Sequence, residues 1–332
     1  MSILKRARIQ YGPYIRWKRD LITELKTDSK MVETEKGPIE YTICGASGPY
    51  VSFMHGGPGG YDQAEALFSG LFGKGFRILS WSRPGYINTP LNVGRAFEEQ
   101  AEAFASLLNA LGIVRTAVMA YSAGGLPAVH FAARYPDKIW ALILECTVSQ
   151  KYEINNENMA ELIFFSRLMF RSPYLWLADI ITKHAPLLVG WATIEMESSL
   201  EEDEVIKLMR NIMKDEQRVK ILMDLIRSMS PAMLRKKGLK NDLKQLAMIN
   251  NLPLEHVNTS TLVIHGTDDQ DVPLDHGQRA ARLIPNAEIY IVEKGFHILA
   301  LSDAADEINE KRIMFLKTHV PQGKSDEILL RS

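Results

Sequence analysis

The sequence predicts an α/β fold, a mostly parallel sheet flanked by helices, with a helical cap inserted between two of its strands. Three features of the chain lead there. Through residues 31–147, short apolar runs alternate with amphipathic stretches, the pattern of strands covered on both faces by helices. Between residues 148 and 251 the strand signal is replaced by long helical stretches, as an inserted block would require. Over residues 252–320 strands return, so the insertion interrupts one domain rather than following it.

MVETEKG, PIEYTICG and YVSFMHGG form a β-rich entry, each run closed by glycine, because β-branched and aromatic side chains suit a pleated surface. FRILSW follows as a further strand. FEEQAEAFASLLNALG sets Phe97, Ala101, Phe104, Leu108 and Leu111 three or four apart and stops at Gly112, which predicts an amphipathic helix. TAVMAY and IWALILE are strands with a helix through AVHFAARYP between them. The cap contains AELIFFSRLMF, YLWLADIITKHAPLLV and EDEVIKLMRNIMKDEQRVKILMDLIRSM. STLVIHG and AEIYIVEKG resume the sheet, and DAADEINEKRIMFLKTHV closes it as a helix.

Outside this body, residues 1–30 carry eight Lys or Arg against three acids, interleaved with Tyr11, Tyr14, Ile15, Trp17, Leu21 and Ile22. They read as an amphipathic extension, either packed on the body or offered to a membrane surface or a second subunit. The polar tail, residues 321–332, is expected to be mobile.

Composition narrows the function classes. The 332 residues include 39 basic and 40 acidic side chains, a formal charge of −1, which leaves no electrostatic footprint for nucleic acid. Two cysteines, Cys44 and Cys146, are too few for a disulfide framework and lack zinc-site spacing, so both are expected to be small buried residues in a reducing compartment. No segment approaches the roughly 18 apolar residues of a membrane span. The expectation is a cytoplasmic protein with a small-molecule substrate, no integral membrane segment, no cofactor and no metal; a homodimer is left open.

The chemistry concentrates in four places. In AVMAYSAGG, Ser122 stands between an apolar strand and a helix, flanked by Ala120, Ala123, Gly124 and Gly125; a serine on such a turn needs small neighbours, and its bland alternative is a helix N-cap. HGGPGG follows the run YVSFM, and its glycines let backbone N–H groups approach a developing oxyanion. Gly57 and Ala123 are the expected oxyanion donors, with Tyr121 and Gly56 beside them as substrate contacts. A serine hydroxyl needs an imidazole base, and the imidazole needs a carboxylate. AEIYIVEKGFH ends a strand with His297, the expected base, while TLVIHGTDDQDVP offers Asp268, Asp269 and Asp271, and Glu145 ends the strand before.

Taken together, these residues resemble the α/β-hydrolase superfamily over residues 31–320, with Ser, Asp and His in that family's chain order. The resemblance implies a Ser122–His297–Asp269 triad, since Gly266, Asp269 and Pro273 fall on the family's Gly-x-x-Asp-x-x-x-Pro segment. HGGPGG and SRPGY are similar to the branch holding proline iminopeptidases and esterase-like hydrolases. Two departures count against a peptidase: Ser82 stands where that branch usually has Asp before Arg-Pro-Gly, and AYSAGG lacks the Gly-Gly-Ser-Trp elbow. The expected activity is therefore cleavage of a carboxylic ester or related acyl bond of a small apolar substrate. An aminopeptidase or amidase with the same residues is the alternative, and a non-catalytic ligand-binding protein the second. The run EMESSLEEDE is expected to be a solvated helix start, and His130, His184, His256, His265, His276 and His319 show no ligand spacing. His55 is expected to position the HGGPGG loop.

Overall fold

The computed structural model describes residues 28–151, 172–249 and 251–321, with a few positions between 15 and 25. AELIFFSRLMF, the tail from residue 322, and Tyr11, Tyr14, Trp17 and Leu21 lie outside the described residues.

The β-rich entry forms β1 (Lys30–Thr34), β2 (Gly37–Cys44) and β3 (Tyr50–Met54), followed by the short helix α1 (Gln63–Phe68) and β4 (Arg77–Trp81). The predicted amphipathic helix is α2 (Phe97–Ala110), with Phe97, Ala101, Phe104 and Leu108 buried as their spacing requires. Glu99 stabilises its start by accepting the backbone N–H of Ala96, and Gly112 takes a φ of +66° just past its end, where a left-handed residue closes a helix at least cost. Then come β5 (Thr116–Tyr121), α3 (Gly125–Arg134) and β6 (Ile139–Glu145).

The eight strands lie in the order β1-β2-β4-β3-β5-β6-β7-β8, where β7 is Thr261–Gly266 and β8 is Ala287–Val292. Pairings from β4 through β8 are parallel; β2 alone runs the other way, antiparallel to both β1 and β4. All residues of β5 and β6 are buried, as central parallel strands covered on both faces must be. Their alternation divides the core. Ala117, Met119, Tyr121, Ala141 and Ile143 face one apolar cluster, while Val118, Ala120, Leu142 and Leu144 face the other. Each large apolar side chain so buried contributes about 1.5–3 kcal/mol of transfer free energy.

Between β6 and β7 the described chain is helical: α4 (Ser172–His184), α5 (Pro186–Glu197), α6 (Glu202–Ile212), α7 (Glu216–Ser228) and α8 (Ala232–Leu246). The long stretch from Glu202 breaks in two because Asp215 caps α7, accepting the N–H groups of Gln217 and Arg218 at 2.9 and 3.2 Å. An N-cap carboxylate satisfies amides that a continuous helix would have paired otherwise. Ile194, Val205, Leu208, Leu222 and Leu225 from these helices join the same cluster as Tyr121 and Ile143. The fold is completed by α9 (Leu274–Leu283) and α10 (Ala305–His319).

At the N-terminus, Leu25 is buried against Tyr61, whose hydroxyl donates to the Leu25 carbonyl at 2.7 Å, so that part of the extension packs on the body. Cys146 is buried as expected, but Cys44 is exposed at the end of β2. The register explains this: Cys44 is the last residue of a strand whose final two positions face solvent.

Candidate active site

Ser122 follows β5 directly and takes a φ of +53°, a left-handed conformation that a non-glycine residue holds only when its surroundings enforce it. Close packing enforces it here. A Cβ on Gly124 would lie 2.2 Å from the Met54 carbonyl oxygen, and one on Gly56 would lie 2.9 Å from the Ser122 Cβ. The end of β3 and the turn after β5 therefore touch, which only glycine at these two positions permits. Ala120, two residues before the serine, is fully buried.

The HGGPGG loop is held from behind. His55 is buried; its Nε2 accepts the Arg83 backbone N–H at 2.9 Å, so its Nδ1 donates to the Gly56 carbonyl at 2.7 Å. Burial, seconded by the Arg83 charge, keeps this imidazole neutral, with its pKa well below the ordinary value. Arg83 is itself gripped by Asp242 of α8 through contacts of 3.1 and 2.6 Å, and the Tyr86 hydroxyl donates to the same carboxylate at 2.7 Å. Burial would disfavour the isolated charges, and the bidentate geometry offsets that cost. The Gly56 N–H donates to Gln63 Oε1 at 2.9 Å, whereas no hydrogen bond within the described residues takes the N–H of Gly57.

In the turn after β7, Asp269 accepts the Val272 N–H at 2.8 Å and meets His297 Nδ1 at 3.0 and 2.9 Å through its two oxygens. Although burial works the other way, the His297 charge holds the Asp269 carboxyl below its usual range. Asp268 instead accepts the Thr267 hydroxyl at 2.6 Å, a turn role. Glu145 is turned away and forms a buried bidentate pair with Arg312, one arm at 2.9 Å. Of the four candidate carboxylates, Asp269 is thus the one bonded to the Nδ1 of His297. Tyr121 packs its ring 5.0 Å from that of His297, and buried His265 sits behind Asp269, its Nε2 on the Val272 carbonyl at 2.7 Å.

Two further carboxylates lie near His297. Asp271, one of the three aspartates offered by the turn, reaches His297 Nε2 at 3.4 Å with its side chain 45% exposed. Glu197, read as part of a solvated acidic run, ends α5 beside the same imidazole: its backbone carbonyl accepts the His297 backbone N–H at 3.2 Å, and its Oε2 is buried without a hydrogen-bond partner. The neighbouring Ser198 forms a bridge with Asp269, which draws this residue inward. Glu195, Glu201, Glu202 and Asp203 remain exposed as expected. Burial pushes the Glu197 carboxyl up to about 7. Among the described residues, no hydrogen bond joins the Ser122 hydroxyl to His297, and such bonds are commonly loose before substrate binds.

Burial alone would lower the His297 pKa, but the carboxylates of Asp269, Asp271 and Glu197 raise it to about 10. A base must be neutral to accept a proton, so the acidic limb of kcat/KM is expected to lie above the ordinary histidine value of about 6.5. Asp271→Asn removes one raising charge and should move that limb to lower pH by roughly half to one unit. A limb that stays in place would separate Asp271 from the titrating base.

A profile of the alpha/beta hydrolase fold matches residues 49–304. The chain belongs to this family. An uncharacterized hydrolase of Bacillus subtilis (strain 168), YcgS, is 25% identical over 298 residues, covering 89% of this chain and 100% of that protein. A 2-hydroxy-6-oxononadienedioate/2-hydroxy-6-oxononatrienedioate hydrolase of Dechloromonas aromatica (strain RCB) is 29% identical over 318 residues, 90% of this chain and 98% of its own. Among solved structures, an alpha/beta hydrolase fold protein from Nakamurella multipartita superposes with a TM-score of 0.78 at 32% identity, covering 87% of this chain and 99% of that one. The α/β-hydrolase described here is accordingly an enzyme, and its mostly parallel eight-stranded sheet is that of the family. No helix among its described residues is long and apolar enough to cross a membrane.

The branch's missing acid before Arg-Pro-Gly finds a physical counterpart. Ser82 donates to the buried Glu40 of β2 at 2.7 Å, and Ser29 and Asn88 donate to the same carboxylate. A negative charge is supplied there from a neighbouring strand.

Proposed function

We propose that this α/β-hydrolase cleaves a carboxylic ester, or a related acyl bond, of a small and largely apolar substrate through an acyl-enzyme. The observation that carries the reading is the Asp269–His297 pair set beside a serine held at positive φ against the HGGPGG loop. In this reading Asp269 fixes the proton on Nδ1, leaving Nε2 to take the proton of Ser122 as its oxygen attacks the carbonyl carbon. The N–H groups of Gly57 and Ala123 receive the oxyanion, and Gly56 and Tyr121 border the acyl group. His297 then returns the proton to the leaving oxygen, and water, deprotonated by the same nitrogen, releases the acid. α4–α8 act as the cap, with Leu239 leaning over Gly57.

The name of the Dechloromonas relative specifies a dioate, a substrate with two carboxylates. Asp271 and, when ionised, Glu197 would weaken the binding of such a dianion, an effect that solvent screens at half-exposed Asp271. A neutral substrate meets no such barrier.

The position of Glu197 favours a second reading, hydrolysis of a substrate bearing a free amine, because its buried Oε2 would accept an ammonium. A panel of short and medium acyl p-nitrophenyl esters against N-terminal prolyl and alanyl arylamides separates the two. Esters are expected to dominate. If arylamides with a free amine turn over faster than every ester, and blocking the amine removes the activity, the aminopeptidase reading replaces the esterase one. No turnover of either class would leave a ligand-binding role for the fold.

A further inference from the structure

The side chains of His297, Asp271 and Glu197 each offer one donor atom, and the three atoms lie within 4.8 Å of one another. We propose that this cluster binds a single divalent transition-metal ion such as Zn²⁺, and that the ion blocks the site by occupying the base nitrogen. The inhibition, though not the binding, rests on the hydrolase reading above.

The donor set and its geometry both suit zinc. Zinc takes imidazole nitrogen and carboxylate oxygen at about 2.0–2.2 Å in tetrahedral array, and a tetrahedron with such arms has edges of about 3.3–3.6 Å. The His297 Nε2 to Asp271 Oδ2 separation is 3.4 Å, one such edge already formed. The wider separations, within 4.8 Å, would have to shorten on binding by rotation of the half-exposed Asp271 carboxylate and of Glu197. His297 is oriented for ligation because its Nδ1 donates to Asp269 at 2.9 Å, the carboxylate–histidine arrangement that fixes the tautomer of a metal-bound imidazole. Glu197 Oε2 supplies an independent sign, being a buried carboxylate oxygen with no hydrogen-bond partner, a state that costs free energy until a cation or donor arrives. Two carboxylates neutralise the charge of the ion, and water fills the fourth position. The ion takes the Nε2 lone pair, any proton there passes to solvent, and no electron transfer is involved. With that lone pair engaged, His297 cannot accept the proton of Ser122.

ZnCl₂ titrated calorimetrically into the Ser122→Ala protein measures binding without turnover. One ion per chain is expected, and Asp271→Asn or Glu197→Gln in that background should weaken it about tenfold or more. Mg²⁺, which prefers octahedral oxygen and keeps its water, should not compete. In the wild type, zinc should inhibit ester hydrolysis reversibly, with chelator restoring the rate, and each variant judged against its own metal-free rate should need correspondingly more zinc. The inference is overturned if no saturable one-to-one binding occurs or if both variants bind zinc as tightly as their parent. It is also overturned if Cys146→Ser, rather than these two, abolishes binding, because Cys146, Asp269 and His297 form the other such cluster among the described residues. Zinc binding to a protein that hydrolyses no ester would sink the hydrolase reading and leave the metal site standing; ester hydrolysis without zinc binding would do the reverse.

Discussion

Ser122→Ala is expected to abolish covalent labelling by a fluorophosphonate probe and to lower kcat for ester hydrolysis by about 10⁶-fold. The probe's phosphorus accepts a serine oxygen only when a base removes the proton and nearby amides receive the negative charge, so labelling reports the whole arrangement rather than the serine alone. The substitution is structurally mild. Alanine removes one oxygen from a buried position, leaves the backbone at its φ of +53°, and keeps the close contact between Gly56 and the residue 122 Cβ. An unchanged melting curve with lost labelling would assign the effect to chemistry. If the folded wild type stays unlabelled at high probe concentration, or if another serine reacts, Ser122 is not the nucleophile.

Which parts of this arrangement can be read from the sequence follows from the range of the interactions involved. Strands β5 and β6 were legible because burial on both faces writes an unbroken apolar run into six or seven consecutive residues. The helix α2 was legible because one face must be apolar at each turn. The elbow at Ser122 was legible through its small neighbours, since Gly124 and Gly125 each stand where a Cβ would collide with Met54 or Thr147. The turn after β7 left Asp268, Asp269 and Asp271 as rivals, because one residue of shift in a turn changes which carboxylate points inward and no local pattern records that direction. The family segment favoured Asp269, and the hydrogen bond to His297 Nδ1 falls on that residue.

What could not be read depends on pairing between distant segments. Glu197 looked like one more acid in a solvated run, and its inward position follows from the bridge between Ser198 and Asp269, which no periodicity announces. The Arg83–Asp242 clamp joins the HGGPGG loop to α8 in the same way, and Glu40 stands in for the acid missing at Ser82 from a strand earlier in the chain. Each is a charge placed by the topology. The break between α6 and α7 did have a local sign, Asp215 ahead of Glu216 and Gln217, but the apolar spacing on both sides masked it.

Asp269→Asn is expected to lower kcat by about 10⁴-fold while Asp268→Asn stays within about tenfold, because only the carboxylate bonded to Nδ1 sets the tautomer of the base. Asparagine at 269 can still accept the Val272 N–H at the place where Asp269 Oδ1 does so at 2.8 Å. Its amide nitrogen, however, would donate toward Nδ1, moving the imidazole proton to Nε2 and leaving the serine without an acceptor. The loss should appear in kcat rather than KM, since nothing in the change touches an apolar acyl group. It should also lower the apparent pKa of His297, because the Asp269 charge is the largest of the carboxylate influences raising it; residual activity would then have its acidic limb at lower pH than the wild type. Asp271→Asn shifts the limb in the same direction but leaves the Nδ1 bond intact, so its rate at alkaline pH should stay within about tenfold of the wild type. A larger kcat loss in Asp268→Asn than in Asp269→Asn would overturn the assignment of the acid, and so would an Asp269→Asn enzyme that keeps its rate. Glu145→Gln offers the contrasting result, since it breaks the buried pair with Arg312 and should cost about 3–5 kcal/mol of stability, read as a lower Tm with kcat per folded molecule nearly unchanged.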